Sequence, residues 1–172
     1  MTLTATVTAQ IKLRQTGGHD FAQDVFDPVM QHLQAFTDGT GAGEADIAWL
    51  DVRTVADGAN DDIDLAGVLS DAFGATVDAA ELVTLFLINK PRTGAANTTA
   101  LTLGGGSNPM TGFLGGTTPT IGPIQPNTML LLSATDAAGI GAITGGSADI
   151  LRIANAAGAA ATYQIGILAR SA

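Results

Sequence analysis

The sequence predicts an all-β fold, a β-sandwich or jelly-roll-like barrel of about eight to ten short strands with an extended arm at the N-terminus. Three observations lead there. Residues 2–14 alternate without an error: Leu3, Ala5, Val7, Ala9, Ile11 and Leu13 are apolar, while Thr2, Thr4, Thr6, Thr8, Gln10, Lys12 and Arg14 are polar. That is the period-two pattern of a strand with one covered face. From Glu44 onward, short apolar runs recur between Gly, Pro, Asn and Asp turn residues. Glycine supplies 22 of the 172 residues, high for a helical chain and ordinary for a turn-rich β protein.

The elements follow in order. A strand over residues 2–14 would span roughly 44 Å, against a usual length of about 20 Å, so it can reach beyond its own domain. Residues 17–36 are ambiguous. Phe21, Val25, Phe26, Val29, Leu33 and Phe36 approximate a helical stripe, but Pro28 interrupts it. The reading is a short helix or irregular segment before Pro28 and an extended segment after it. Residues 37–43 form a loop by composition, which divides the chain into an arm and connecting segment (1–36) and a β-sandwich domain (37–172). Ala45, Ile47 and Trp49 alternate with polar or small residues, and the phase slips near Leu50-Asp51, which suggests a bulge. Ile63 and Leu65 alternate with Asp62 and Asp64, and Asp71-Ala72-Phe73-Gly74 marks a turn. Residues 81–90 carry Leu82, Val83, Leu85, Phe86, Leu87 and Ile88, apolar on both faces, as a central strand requires. Residues 99–103 alternate again before a Gly-rich break. Residues 112–127 read as turns built from Gly115, Gly116, Pro119, Pro123 and Pro126. Met129 to Leu132 reads as a buried strand, and residues 150–154 and 162–169 as a closing hairpin. The expected core includes Leu82, Leu85, Phe86, Ile88, Leu130, Leu132, Ile153, Ile165 and Ile167.

Composition narrows the function. The net charge is −9, with only seven Lys and Arg, scattered along the chain. Phosphate backbones and anionic membrane surfaces need clustered cations, so neither nucleic acid nor membrane is an expected partner. The absence of cysteine excludes disulfides, thiolate metal sites and thiol nucleophiles. No basic segment followed by an apolar run marks a signal peptide, and the apolar runs are too short to cross a bilayer. Apolar residues reach 46% but aromatics only 5%, so the core rests on Leu, Ile, Val and Ala.

Chemistry-bearing constellations are sparse. His19 and His32 are the only histidines, thirteen residues apart, in no metal-binding spacing. No Gly-x-Ser-x-Gly elbow is present. Gly104 to Gly106 precede Ser-Asn-Pro rather than Lys-Ser/Thr, so they read as turns, not a phosphate loop. Asp57, Asp61, Asp62 and Asp64 cluster around Gly58 and Asn60. Calcium is one reading of such a set, a solvated strand edge that blocks unwanted pairing is another. One Trp and one Tyr leave little surface for stacking a sugar. The expectation is no catalytic residue, no cofactor and no metal. Leu3, Val7, Ile11 and Leu13 are the candidate assembly residues, because four large apolar side chains on one arm face need cover. That cover is either the domain's own sheet or another chain.

Residues 37–46, Asp51-Val52-Arg53-Thr54, residues 64–74, Asp149-Ile150-Leu151-Arg152-Ile153-Ala154-Asn155 and Thr162-Tyr163-Gln164-Ile165-Gly166-Ile167, in that order, resemble small virion structural proteins encoded by tailed bacteriophages and prophages. These are turn-and-strand motifs, so the resemblance speaks to fold and particle rather than to an activity. It implies a non-enzymatic virion protein assembled in the bacterial host cytoplasm. The first expectation is a capsid decoration (cement) protein, a homotrimer bound to the major capsid protein on the outside of the shell. A tail or tail-fibre component is the alternative. A carbohydrate-binding or hydrolytic β-sandwich is a third reading.

Overall fold

The computed structural model describes residues 2–110 and 112–172, with the backbone but not the side chain of His19. Fifteen strands run in chain order. The first four are β1 (Ala5–Lys12), β2 (Gln15–His19), β3 (Ala22–Phe26) and β4 (Val29–Phe36). Then come β5 (Ile47–Val55), β6 (Asn60–Asp64), β7 (Ala66–Ser70), β8 (Thr76–Asp78) and β9 (Glu81–Ile88). The chain ends with β10 (Leu101–Gly104), β11 (Thr120–Ile124), β12 (Met129–Ser133), β13 (Gly141–Ala142), β14 (Ile150–Asn155) and β15 (Ala161–Arg170). The fold is all-β: among the described residues no segment is helical.

Two antiparallel sheets pack face to face and stay open at their edges. One has the order β12-β9-β15-β5, with β13 pairing the start of β9; the other has the order β11-β10-β14-β6. Their inner faces share one core, in which Trp49, Leu85, Leu87, Ile165 and Ile167 meet Ile63, Leu101, Leu103, Leu151 and Ile153. Each such side chain removed from water contributes about 1.5–3 kcal/mol, which is how a core with few aromatics holds a sandwich. β9 has partners on both sides, as expected for the central strand. Between Leu168 and Ala169 its register with β15 shifts by one residue. The extra residue there is Val83, which leaves the main core and joins a second, smaller cluster on the outer face of the sheet.

That second cluster anchors the arm. β1 pairs β4 and β2 pairs β3 in one continuous register: Ala5 faces Phe36, Lys12 faces Val29, Gln15 faces Phe26 and His19 faces Ala22. Pro28 has no N–H to give, so the ladder lapses there, but Leu13 N still donates to Pro28 O at 3.1 Å. The arm is therefore a single ribbon of roughly 48 Å, from Ala5 to His19 at about 3.4 Å per residue. Only its base is covered. Phe36 (1% exposed), Ala45 and Val83 pack with Leu3, Ala5, Val7 and Leu168. Leu3 N donates to Asp38 Oδ1 at 2.9 Å, and Ala45 N to Thr37 O at 2.9 Å, closing the base.

Several expectations need correcting. Residues 15–26 are a hairpin rather than a helix or irregular segment; its apolar residues mimic a helical stripe only because two facing strands are read in one line. β5 has no bulge: its pairing with β15 is regular from Ile47 to Val55. The apparent slip arises because Asp51 and Arg53 lie on the inner face while Leu50 and Val52 point outward. Residues 120–124 form an edge strand, a position that tolerates Pro123. β14 and β15 are consecutive but belong to different sheets, so they do not close a hairpin. Phe86, Ile88, Leu130 and Leu132 are half-buried rather than core, because they lie on the outer face or the β12 edge. The remaining predicted core residues (Leu82, Leu85, Ile153, Ile165 and Ile167) are buried.

Candidate functional site

Among the described residues thirteen large hydrophobic side chains are exposed, and eight of them lie between residues 11 and 33, on the ribbon beyond its base. One ribbon face carries Ile11 (59% exposed) directly opposite Met30 (67%), followed by Leu13 and Phe26. The other carries Val25, Val29 and Leu33 between Thr8, Lys12 and Thr16. A soluble surface holds single exposed hydrophobics routinely, whereas contiguous ones on a projecting element mark an interaction site. A two-stranded ribbon has no second layer of its own, and beyond the base the apolar side chains just named are 45–67% exposed on both faces.

The second apolar surface is the outer face of the five-stranded sheet. Pairing places Val52, Gln164, Ile88 and Met129 in one row across it, and Leu50, Gly166, Phe86 and Leu131 in the next. Gly166 has no side chain, so the second row dips between Leu50 and Phe86. The dip is a depression of about 440 Å³ lined by Leu50, Val52, Phe86, Ile88 and Arg92 among others. Leu50 is 79% exposed and Met129 70%. The arm leaves the body over β12, where Gln34 Nε2 donates to Ser133 O at 3.4 Å, and does not reach this depression.

The polar clusters are spent on structure. Arg53 on β5 donates to both carboxylate oxygens of Asp61 on β6, at 2.7 Å each, and the Tyr163 hydroxyl donates to Asp61 Oδ2 at 2.6 Å. Burial alone would raise the Asp61 carboxyl, but the hydrogen bonds from Arg53 and Tyr163 outweigh it and hold the group below the usual carboxylate range. The same contacts raise the Arg53 guanidinium, and burial, then the bond to Asp61, raises the Tyr163 hydroxyl. Asp62 is held low chiefly by its two hydrogen bonds from Arg152, at 2.5 and 2.6 Å. Asp57 accepts from Gly158 N at 2.6 Å and Asp64 from Ala66 N at 2.9 Å. The four aspartates of the acidic cluster thus face five different internal donors. Among the described residues, no group of three or more His, Cys, Asp or Glu side chains is gathered to hold a metal ion. Gly104 and Gly106 both adopt positive φ, and a Cβ on Gly106 would meet the Arg152 guanidinium at 2.5 Å. The Gly-rich run is thus a tight turn packed on an ion pair.

The predicted assembly residues divide. Leu3 and Val7 pack on the chain's own cluster around Phe36, while Ile11 and Leu13 lie exposed on the ribbon. The main-chain partner of residues 5–12 is β4 of the same chain, so the arm does not offer this strand singly. His32 sits opposite Ala9 and His19 opposite Ala22. Ten residue pairs, on the order of 34 Å, separate them; the side chain of His19 lies outside the description. Sequence reading missed Met30, Phe26, Val29 and Leu33 on the arm, and Leu50, Val52 and Met129 on the sheet. The signal for the last group was present in Leu50 and Val52, two apolar residues at outward positions of a strand whose inward positions hold Asp51 and Arg53. In comparisons with known proteins, no family description, no curated protein and no solved structure matches the chain.

Proposed function

We propose that this chain is a structural virion protein, a capsid decoration (cement) protein of a tailed bacteriophage that binds the outer shell of assembled major capsid protein and stabilises it. The observation that carries the reading is the arm: thirty-two residues, Ala5 to Phe36, form a projecting ribbon with apolar side chains on both faces. A ribbon of this kind is favourable only when another surface covers it. The rigid sandwich behind it is a platform without spare chemistry. Its acidic cluster is consumed by internal donors, and its one Trp and one Tyr are 5% and 0% exposed, so neither offers a stacking face to a sugar. The resemblance of residues 37–169 to small tailed-phage structural proteins supplies the particle. A homotrimer at local threefold points of the shell is the arrangement we favour; a tail or tail-fibre component is the second reading.

Localisation tests this. In an electron-microscopy map of purified virions that contain the chain, density for the sandwich is expected on the outside of the head. Density confined to the tail would favour the second reading. Recovery of the chain only outside particles would overturn both.

A further inference from the structure

The arm and the depression at Gly166 are both apolar and do not meet within one molecule. The arm packs on its own sheet near its base, with Leu3, Ala5 and Val7 against the cluster of Val83 and Leu168 and Gln34 bonded to Ser133 O. We infer that the arm of one copy lies on the outer sheet face of another copy, with Ile11, Leu13, Phe26 and Met30 over the depression at Gly166 and the arm's tip toward Lys90 and Arg92. This rests on the reading of the chain as a particle-building protein and names the first partner of the arm as a second copy.

Three features of the molecule select that occupant. The first is charge. Of the seven Lys and Arg, Arg53, Arg152 and Arg170 are held in ion pairs and Lys12 and Arg14 lie on the arm. The two left on the body, Lys90 and Arg92, are exposed; Arg92 lines the depression, and Lys90 follows its lining residue Ile88 by two positions. The tip of the arm carries Asp20 and Asp24, while Asp27 lies lower on the ribbon, across from Arg14 in the continuous register. Opposite charges therefore mark the two ends that would meet, and they set the direction of docking. The second is reach. The body has the diameter expected of about 136 residues, roughly 36 Å, and the ribbon beyond Ala9 is about as long, on the order of 37 Å. It is long enough to leave one copy and cross the face of the next. The third is area. A ribbon about 37 Å long and about 10 Å wide presents on the order of 400 Å² per face. The face a copy lays on one neighbour and the matching area it offers to an incoming arm together bury on the order of 800 Å² per copy, the scale of a stable interface. Each copy gives one arm and receives one, a heterologous contact that forms a ring where the rotation between neighbours closes.

The chain has no cysteine, which makes cross-linking the direct experiment. Purified Met30→Cys protein is mixed with purified Leu50→Cys protein and treated with a short bis-maleimide. A cross-linked dimer containing one chain of each is expected. It should be suppressed by Gly166→Leu in the Leu50→Cys partner; in the wild type the nearest atoms to a Cβ there are those of Leu50, at an ordinary 3.6 Å, and Leu50→Cys removes them, so the outward side chain is accommodated. In parallel, sedimentation of the Ile11→Glu/Met30→Glu double variant should show monomer where the wild type is a closed oligomer. Lys90→Glu/Arg92→Glu should weaken association roughly tenfold at low salt, and Asp20→Lys introduced into the same chain should restore part of it. A monomeric wild type, absence of the mixed cross-link, or an unchanged oligomer in the arm variant overturns the inference. The particle reading is judged separately, by localisation. A virion-surface location without the mixed cross-link leaves the function standing and removes the exchange, and the mixed cross-link in a chain found outside virions does the reverse.

Discussion

Arg170 is 1% exposed and its guanidinium ties four segments together. Nε donates to Glu44 O at 2.9 Å, Nη1 to Glu81 Oε2 at 2.9 Å and to Ala137 O at 3.0 Å, and Nη2 to Asp136 O at 2.9 Å. Arg170→Met would leave a carboxylate and three carbonyls without this donor. Breaking a buried pair costs about 3–5 kcal/mol, and the lower end applies because Glu81 is one-third exposed and regains water. Urea unfolding of the variant should therefore show a loss of about 3 kcal/mol. Adjacent residues on β9 separate stability from assembly. Leu85 is fully buried, so Leu85→Ala should cost about 2–5 kcal/mol. Phe86 is half-buried on the outer face, and Phe86→Ala should cost about 1–2 kcal/mol while shifting the oligomer equilibrium measured by sedimentation.

At the scale of elements, the arm is two things: an anchored base and an unsupported blade. Joining Ala9 to His32 through an Asn-Gly turn removes the blade and keeps the cover that Leu3, Ala5 and Val7 give to Phe36 and Val83. The shortened protein should unfold within a few degrees of wild type, about the shift a 1 kcal/mol change produces, and sediment as a monomer. Deleting residues 1–14 instead strips that cover and should lower the unfolding midpoint clearly; equal midpoints for the two deletions would refute the division. The alternation of residues 2–14 made the first strand legible, and the apolar run at 81–88 made β9 legible, because both patterns follow from local periodicity. The hairpin tip at Asp20-Phe21 was not, since it lacks the Asn-Gly type of turn signal. Nor was the phase of β5. An inward Asp51 and Arg53 make sense only once Asp61 and Tyr163 arrive from two other strands, and no period along one strand encodes a partner on the opposite sheet. The apolar sheet face was hidden for a related reason. Leu50, Phe86 and Met129 look like core residues until the pairing places them on the outer face of the sheet.

For the whole molecule, the decisive junction is the Arg53–Asp61–Tyr163 contact, because it bridges the two layers. Arg53 and Tyr163 belong to the five-stranded sheet and Asp61 to the four-stranded one. The Asp61 side chain is 13% exposed and that of Arg53 28%, so solvent screens this pair less than a surface pair. Unfolding releases the aspartate to its ordinary value near 3.8. A carboxyl whose folded value is depressed binds fewer protons when folded than when unfolded, so its contribution is complete above about pH 4 and is lost as pH falls through the folded value. Asp62, held low by Arg152, adds a smaller part in the same window, smaller because its side chain is 45% exposed. Stability to urea should therefore be flat in this respect from neutrality to about pH 4 and then fall with acid. Asp61→Asn should be less stable than wild type at pH 7 and should lose less on acidification, so that the two curves converge toward pH 2. The comparison is best made in the arm-shortened protein, where association does not contribute to the measured stability. Parallel curves for wild type and Asp61→Asn across the whole range would show that this junction does not carry the acid sensitivity of the sandwich.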